Sequence, residues 1–194
     1  MELLVTLMLA GVLLGLGVPA FRDFMRNGRL TGAANEMLIT VVTARNEALR
    51  RQTVVSVCPS STPADPAATC GGLTTKEGYI AFIDTDSNCV RDGAELGDPQ
   101  NVVANFVTHT EITSARNGTC ISFAPNGFRR IVVGQPTTMH TLFCDTRGNT
   151  PTFPSSAISF ARGLEVMPTG RAAVSRLYAE LTNWGSTGVT VTCP

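Results

Sequence analysis

The hydrophobic positions of this chain fall into two regimes that meet without a gap. From Leu3 to Pro19 the only polar side chain is Thr6, in a run bounded by Glu2 in front and Arg22 behind. At ~1.5 Å per residue the run makes about 25 Å of helix, a little short of the ~30 Å core of a bilayer. Beyond it, apolar or small residues recur at helical steps, at Phe21, Phe24, Met25, Gly28, Ala34, Leu38, Val41, Ala44 and Ala48. Arg22, Asp23, Arg26, Arg29, Glu36, Arg45, Glu47 and Arg50 mostly occupy the remaining surface, as on an amphipathic helix. Asp23 with Arg26, and Glu47 with Arg50 or Arg51, have the spacing of weak ion pairs along one helix. The pattern predicts a single helix of about fifty residues, ~75 Å long. Its first half wants lipid and its second half packs on a domain. Gly11, Gly15, Gly17 and Pro19 make the junction its soft point.

Three readings of the apolar run compete. A cleavable secretory signal has basic residues ahead of the run and a small-residue site. Val18-Pro19-Ala20 would serve as the site, but Glu2 has the wrong sign. A core helix in a soluble protein shows one apolar face, whereas this run is apolar all the way round. A signal peptide, moreover, does not continue in register into the mature fold. The expectation is therefore a membrane anchor over 1–20, an amphipathic continuation over 21–52, and a separate domain over 53–194.

Past Gln52 the helical period stops and short β-type runs take over, bounded by Gly, Pro and turns such as Asn126-Gly127. Strands are expected at 53–58, 79–84, 101–108, 120–123, 130–133, 139–145, 157–160, 164–167, 172–175 and 189–192. The stretches 59–77 and 146–156 read as surface loops. One long helix followed by strands predicts an α+β fold, with an antiparallel sheet covering the helix's second half.

Composition narrows the class. Fifteen basic and fifteen acidic residues cancel, so no whole-chain field attracts nucleic acid or anionic lipid, and such binding needs a local patch. The six cysteines, Cys58, Cys70, Cys89, Cys120, Cys144 and Cys193, contain no CxxC pair, and there are two histidines. That spacing favours disulfides in an oxidising compartment over zinc. Cys58 and Cys70 bracket the loop PSSTPADPAAT and are the expected pair. Cys120 with Cys144 and Cys89 with Cys193 complete one set among the many that stay open. His109 and His140 have no sequence neighbours that suggest a triad or a metal site. Without a nucleophile–base motif, a phosphate loop or a paired-acid motif, the residues do not favour an enzyme.

ELLVTLMLAGVLLGLGVPAFRDFMRNGRLTGAANEML resembles the N-terminal helix of type IV pilin-like proteins. Together with YIAFIDTDSNCVRDGAELG, CISFAPNGF, LFCDTRG and VMPTGRAAVSR, it is similar to the GspH/FimT family of minor pilins and pseudopilins. The resemblance implies a non-enzymatic subunit that helps initiate, prime or cap a pilus. It also implies a single-pass anchor in the bacterial inner membrane, with the β-domain periplasmic. Partners would be other minor and major pilins through the N-terminal helix, and the assembly platform. A prepilin peptidase would remove a basic leader ending in Gly from the precursor, and the new N-terminal Phe would be methylated. Glu2 matches the family's glutamate in the first helical turn, where it pairs with the N-terminal amine of a neighbouring subunit. About four further residues ahead of Glu2 would bring the apolar run to roughly 21, enough to span a bilayer. The equivalent pseudopilin of type II secretion is the alternative branch, although RNGRLTGAANEM and FCDTRG lean toward the pilus.

Two stretches carry candidate chemistry. In DTDSNCVRDGAE, the residues Asp84, Asp86, Asn88, Asp92 and Glu95 have the ligand spacing of an EF-hand loop. Cys89 stands where that loop needs Gly, and no flanking helices are expected, so a plain turn held by side-chain–backbone bonds is the competing account. Some pseudopilins use calcium, which is the only cofactor the resemblance suggests. In PTGRAAVSR, Gly170 and Arg171 match a Gly-Arg-x-Arg motif that contacts DNA in transformation-associated members, but Ala173 takes the place of the second Arg. Arg176 is an odd step away and would face the other side of a strand. Arg129, Arg130 and Arg147 are the other candidates for a DNA patch, which needs several phosphate contacts together.

Overall fold

The structure, a computed structural model, describes residues 2–71, 74–75, 78–98, 100–108, 111–116, 118–184 and 193. Helix α1 spans Glu2–Arg51 without a break. It runs through Pro19, whose ring lacks the N–H that would bond the Gly15 carbonyl. From Leu30 onward one face is buried, at Leu30, Ala33, Ala34, Met37, Val41, Ala44 and Ala48. The four alanines on this face let strands approach closely, and burying Leu30, Met37 and Val41 is worth about 1.5–3 kcal/mol each.

Two five-stranded sheets receive that face. In the first, β1 (Val55–Ser60) lies between β3 (Gly78–Ile83) and β6 (Ile121–Phe123), with β4 (Val102–Val107) at one edge and β7 (Arg129–Arg130) at the other. In the second, β8 (Met139–Cys144) and β9 (Ile158–Val166) lead to the edge strand β10 (Ala172–Leu177) on one side. On the other side follow β5 (Thr113–Arg116) and β2 (Thr74–Thr75). All the pairings are antiparallel. The helix face packs against Val55, Val57, Tyr79, Ala81, Ile121 and Phe123 of the first sheet, and against Met139, Phe143, Leu164 and Val166 of the second.

The opposite face of each sheet is covered as well. Cys58, Ile80 and Phe82 lie under Ala68 of the 61–71 segment. Leu142, Cys144 and Ala161 lie with Leu181 of the short helix α3 (Tyr178–Asn183) and with Trp184. Period-two alternation thus sends Tyr79 and Ala81 to the helix while Ile80 and Phe82 face away. Pro59 sits inside β1, and this is tolerated because β6 pairs only with Val55–Val57, leaving the proline on the unpaired side.

Several expectations are corrected. Two sheets embrace the helix rather than one. The expected strands 157–160 and 164–167 are one strand, β9, because Arg162 and Gly163 continue the pairing with β8. Strand 130–133 shrinks to Arg129–Arg130, and Ile131 and Val133 stand exposed beyond it. The 59–77 loop gives up its ends to β1 and β2. β5 and α3 were not expected, since TSAR and YAELTN carry too few β-branched or periodic apolar positions. The 189–192 strand lies outside the described residues. On α1, Phe21 and Phe24 do not join the buried face and are 64% and 72% exposed.

Cys58 is bonded to Cys70. In place of Cys120–Cys144 and Cys89–Cys193, the structure joins Cys89 to Cys120 and Cys144 to Cys193. Cys120 leads into β6 of the first sheet and Cys144 ends β8 of the second, so the expected partners belong to different sheets.

Gly170 fixes how the sheets meet the helix. Its φ is +78°, and a Cβ there would run into the Gly127 carbonyl oxygen and crowd Arg45 Nε, which itself donates to that oxygen at 2.9 Å. Gly170→Ala is expected to cost about 1–3 kcal/mol of backbone strain and to disturb the Arg45 contact. Gly134, at φ +83° with open space around it, is the control. Gly134→Ala carries the left-handed backbone strain, about 1–2 kcal/mol, without the clash, so it should cost less than Gly170→Ala, and urea unfolding of the two variants checks the order.

Candidate assembly and binding sites

Among the described residues, the side chains of α1 from Glu2 to Arg26 are exposed. Leu3, Leu7, Met8, Leu13, Val18, Phe21 and Phe24 are all exposed. The helix is long and apolar enough to cross a membrane, by length and composition. Thr6, the only polar side chain between Glu2 and Arg22, donates back to the Leu3 carbonyl at 2.9 Å, which removes its hydroxyl proton from the apolar surface. Glu2 stands in the first turn, where a carboxylate complements the unpaired amides of a helix start. Leu30, the first fully buried side chain, is ~42 Å further along the axis.

The arginines expected to form a DNA patch are distributed along the molecule. Arg147 is largely buried and binds Asp145 through Nε and Nη2, at 3.0 and 2.6 Å to Oδ2. Nη2 also reaches Asn27 Oδ1 at 3.1 Å, Nη1 lies 3.8 Å from Asp23, and the guanidinium sits over the Phe160 ring at 4.3 Å. Asp23 thus meets Arg147 rather than the Arg26 its helical spacing suggests. Arg171 follows Gly170, which packs against Arg45. Arg147 and Arg171 are therefore tied to residues 27 and 45 of one helix, about 27 Å apart along it. Arg171 and Arg176 are exposed. Arg176 acts electrostatically on Arg162 and so lies toward the Arg147 end. Arg129 is buried and donates to the Pro136 and Thr137 carbonyls, and Arg130 donates to the Ser87 carbonyl at 2.6 Å.

Sequence reasoning passed over Arg162. It is 2% exposed and donates to Thr31 Oγ1 of α1 and to the Phe160 and Ala161 carbonyls. Burial, then Arg176 and Arg147, push its pKa down to about 10. His140, which no sequence neighbour marks as a site, does have partners in the fold. It stacks on Trp184 with centroids 4.6 Å apart, its Nε2 is 3.4 Å from Glu165 Oε1, and it lines a cleft of about 570 Å³ with Glu180. Burial lowers its pKa against the opposing pull of Glu165. The signal for this group lies in the pairing of β8 with β9, which sets His140 opposite Glu165, and no local motif carries it.

The EF-hand-like stretch splits. Asp84, Asp86 and Glu95 each offer a carboxylate oxygen within 4.8 Å of the others. Asn88 instead caps Asp86 through Nδ2 at 2.7 Å, and its own Oδ1 accepts from the Val90 amide. Asp92 is exposed and precedes the four-residue helix α2 (Gly93–Leu96). That helix inside the loop is what brings Glu95 back toward Asp84. Burial pushes the Asp84 carboxyl above its ordinary range, against hydrogen bonds from Ser56 and Cys89.

A family model described as type II transport protein GspH matches residues 33–170. The crystal structure of the type IV minor pilin FimU of Pseudomonas aeruginosa superposes with a TM-score of 0.51 at 16% identity, over 78% of this chain and 92% of that one. A second crystal form of the same pilin gives a TM-score of 0.49 at 16% identity, over 75% and 92%. No curated protein matches the chain.

Arg147 is the pin between the β8–β9 loop and the neck of α1. Burial alone would raise Asp145, but the Arg147 hydrogen bonds and charge outweigh it and hold the carboxyl below its usual range. A depressed carboxylate pKa stabilises the fold above the unfolded-state value, and the contribution is lost as pH falls through the folded value. Arg147→Met is expected to cost about 2–3 kcal/mol near neutral pH. The gap from the parent should narrow below about pH 4, as Asp145 takes up its proton in both. Urea unfolding at a series of pH values reads both effects.

Proposed function

The chain belongs to the GspH family of type II transport proteins, and from that premise we propose that it is a minor type IV pilin that helps initiate, prime or cap pilus assembly. The observation that carries the reading is a helix whose second half is the core of the domain while its first half is apolar, uncovered and headed by a carboxylate. The inner membrane shields that half before assembly, with the domain in the periplasm. In the filament, the helices of other pilins replace the lipid. The likeness to a minor pilin fold supports the pilus branch.

Glu2 would then supply register. A carboxylate moved into an apolar bundle is costly unless a cation meets it, so a neighbouring N-terminal amine at one axial position is favoured over all others. Glu2→Leu in the full-length gene should leave membrane insertion and the domain fold intact while incorporation into pili is lost. Normal incorporation would sink this role.

The match to a family of type II transport proteins favours one second reading, a minor pseudopilin of type II secretion. It uses the same helix and the same Glu2 logic, and deletion of the gene separates the two by loss of pili or loss of protein export. DNA uptake draws no support from the dispersed arginines. A mobility shift of labelled duplex by the full chain at low salt would revive it.

A further inference from the structure

The loop leaving β3 closes on itself at one end of the first sheet. Asp84 is fully buried. Its Oδ2 accepts from Ser56 Oγ at 2.5 Å and from the Cys89 amide at 3.0 Å, and its Oδ1 accepts from the Asn88 amide at 3.0 Å. Asp86 is exposed, with both oxygens facing Asn88. Glu95 is 4% exposed. Its Oε1 accepts from the Thr85 amide at 2.6 Å and the Thr85 hydroxyl at 2.9 Å, but its Oε2 is buried with no partner. Among the described residues no ion pair reaches any of these three carboxylates. Arg91, the nearby cation, spends its donors on Asn101 Oδ1, the Ala68 carbonyl and the Glu95 backbone carbonyl.

We propose that Asp84, Asp86 and Glu95 bind a calcium ion that locks the 84–95 loop. A buried carboxylate oxygen without a partner carries an uncompensated desolvation cost, and a cation between the three carboxylates gives Glu95 Oε2 a partner and relieves their mutual repulsion. The donor set is oxygen only, which suits a hard cation better than zinc. Oxygens within 4.8 Å of one another can share one calcium ion, whose opposed ligands lie ~4.6–5.2 Å apart. Three carboxylates are fewer than the ~6–8 ligands calcium takes, so water completes the shell through the exposed Asp86 side. Affinity then falls in the ~0.1–1 mM range of extracellular sites. The ion adds a second clasp to a loop already tied to the start of β6 by Cys89–Cys120.

The test uses the full chain in detergent micelles, stripped with EGTA and titrated with calcium chloride, with thermal unfolding followed by circular dichroism. A saturable rise in Tm is expected, half complete at about 0.1–1 mM. Glu95→Gln should abolish the rise, and Asp86→Asn, at an exposed position that spares the fold, should shift the midpoint upward about tenfold. The proposal is overturned by no rise up to ~10 mM, by an equal rise with magnesium, or by an undiminished rise in Asp86→Asn. Equilibrium dialysis with radioactive calcium reports stoichiometry without heating and is expected to give one ion per chain. A folded chain that retains no calcium also overturns it.

Discussion

Everything in this fold depends on one apolar seam, the face of α1 from Leu30 to Ala48 laid against both sheets. Among the described residues, neither sheet has another element that closes the core between them. Without the helix, Tyr79, Phe123, Phe143 and Leu164 would face water, at about 1.5–3 kcal/mol each. The seam is narrow because alanines hold it, so the strands approach closely and small changes in backbone position matter. Gly170 and Arg45 at one end, and Arg147 with Arg162 at the other, set the helix's axial position by polar contacts that tolerate little slippage.

The helix was legible from residues alone because its period is local. Ala34, Val41, Ala44 and Ala48 announced the buried face, and Leu30, Ala33 and Met37 lie on the same stripe. Phe21 and Phe24 misled for a physical reason: helical spacing marks the stripe but says nothing of where the domain stops covering it. The strands were mostly legible from β-branched runs such as those of β1 and β4. β5 was not, since TSAR becomes a strand only by pairing with β8 and β2. That tertiary override of weak propensity has no sequence signature.

Candidate sites were less legible, and charge explains why. Sequence spacing cannot tell a free arginine from one whose donors are spent. Arg147 looked available for phosphate and instead holds Asp145, Asn27 and Phe160. The EF-hand spacing had the opposite fault. It overcounted ligands, since Asn88 and Asp92 point their chemistry elsewhere, yet it did gather the three acids that meet. The disulfides followed sheet membership, which cannot be read before the sheets are known. Only Cys58–Cys70 closes a loop short enough to be suggested by sequence.

The three bridges share a property with mechanical consequences. Every cysteine lies between residues 58 and 193, so each bridge ties the β-rich part to itself and none clips it to α1. A pull along the helix axis is therefore borne by the covalent chain at Gln52 and by the seam acting in shear. The bridged sheets resist unravelling under load. The joint with the helix is the element that yields first, and it yields reversibly, because only noncovalent contacts separate there.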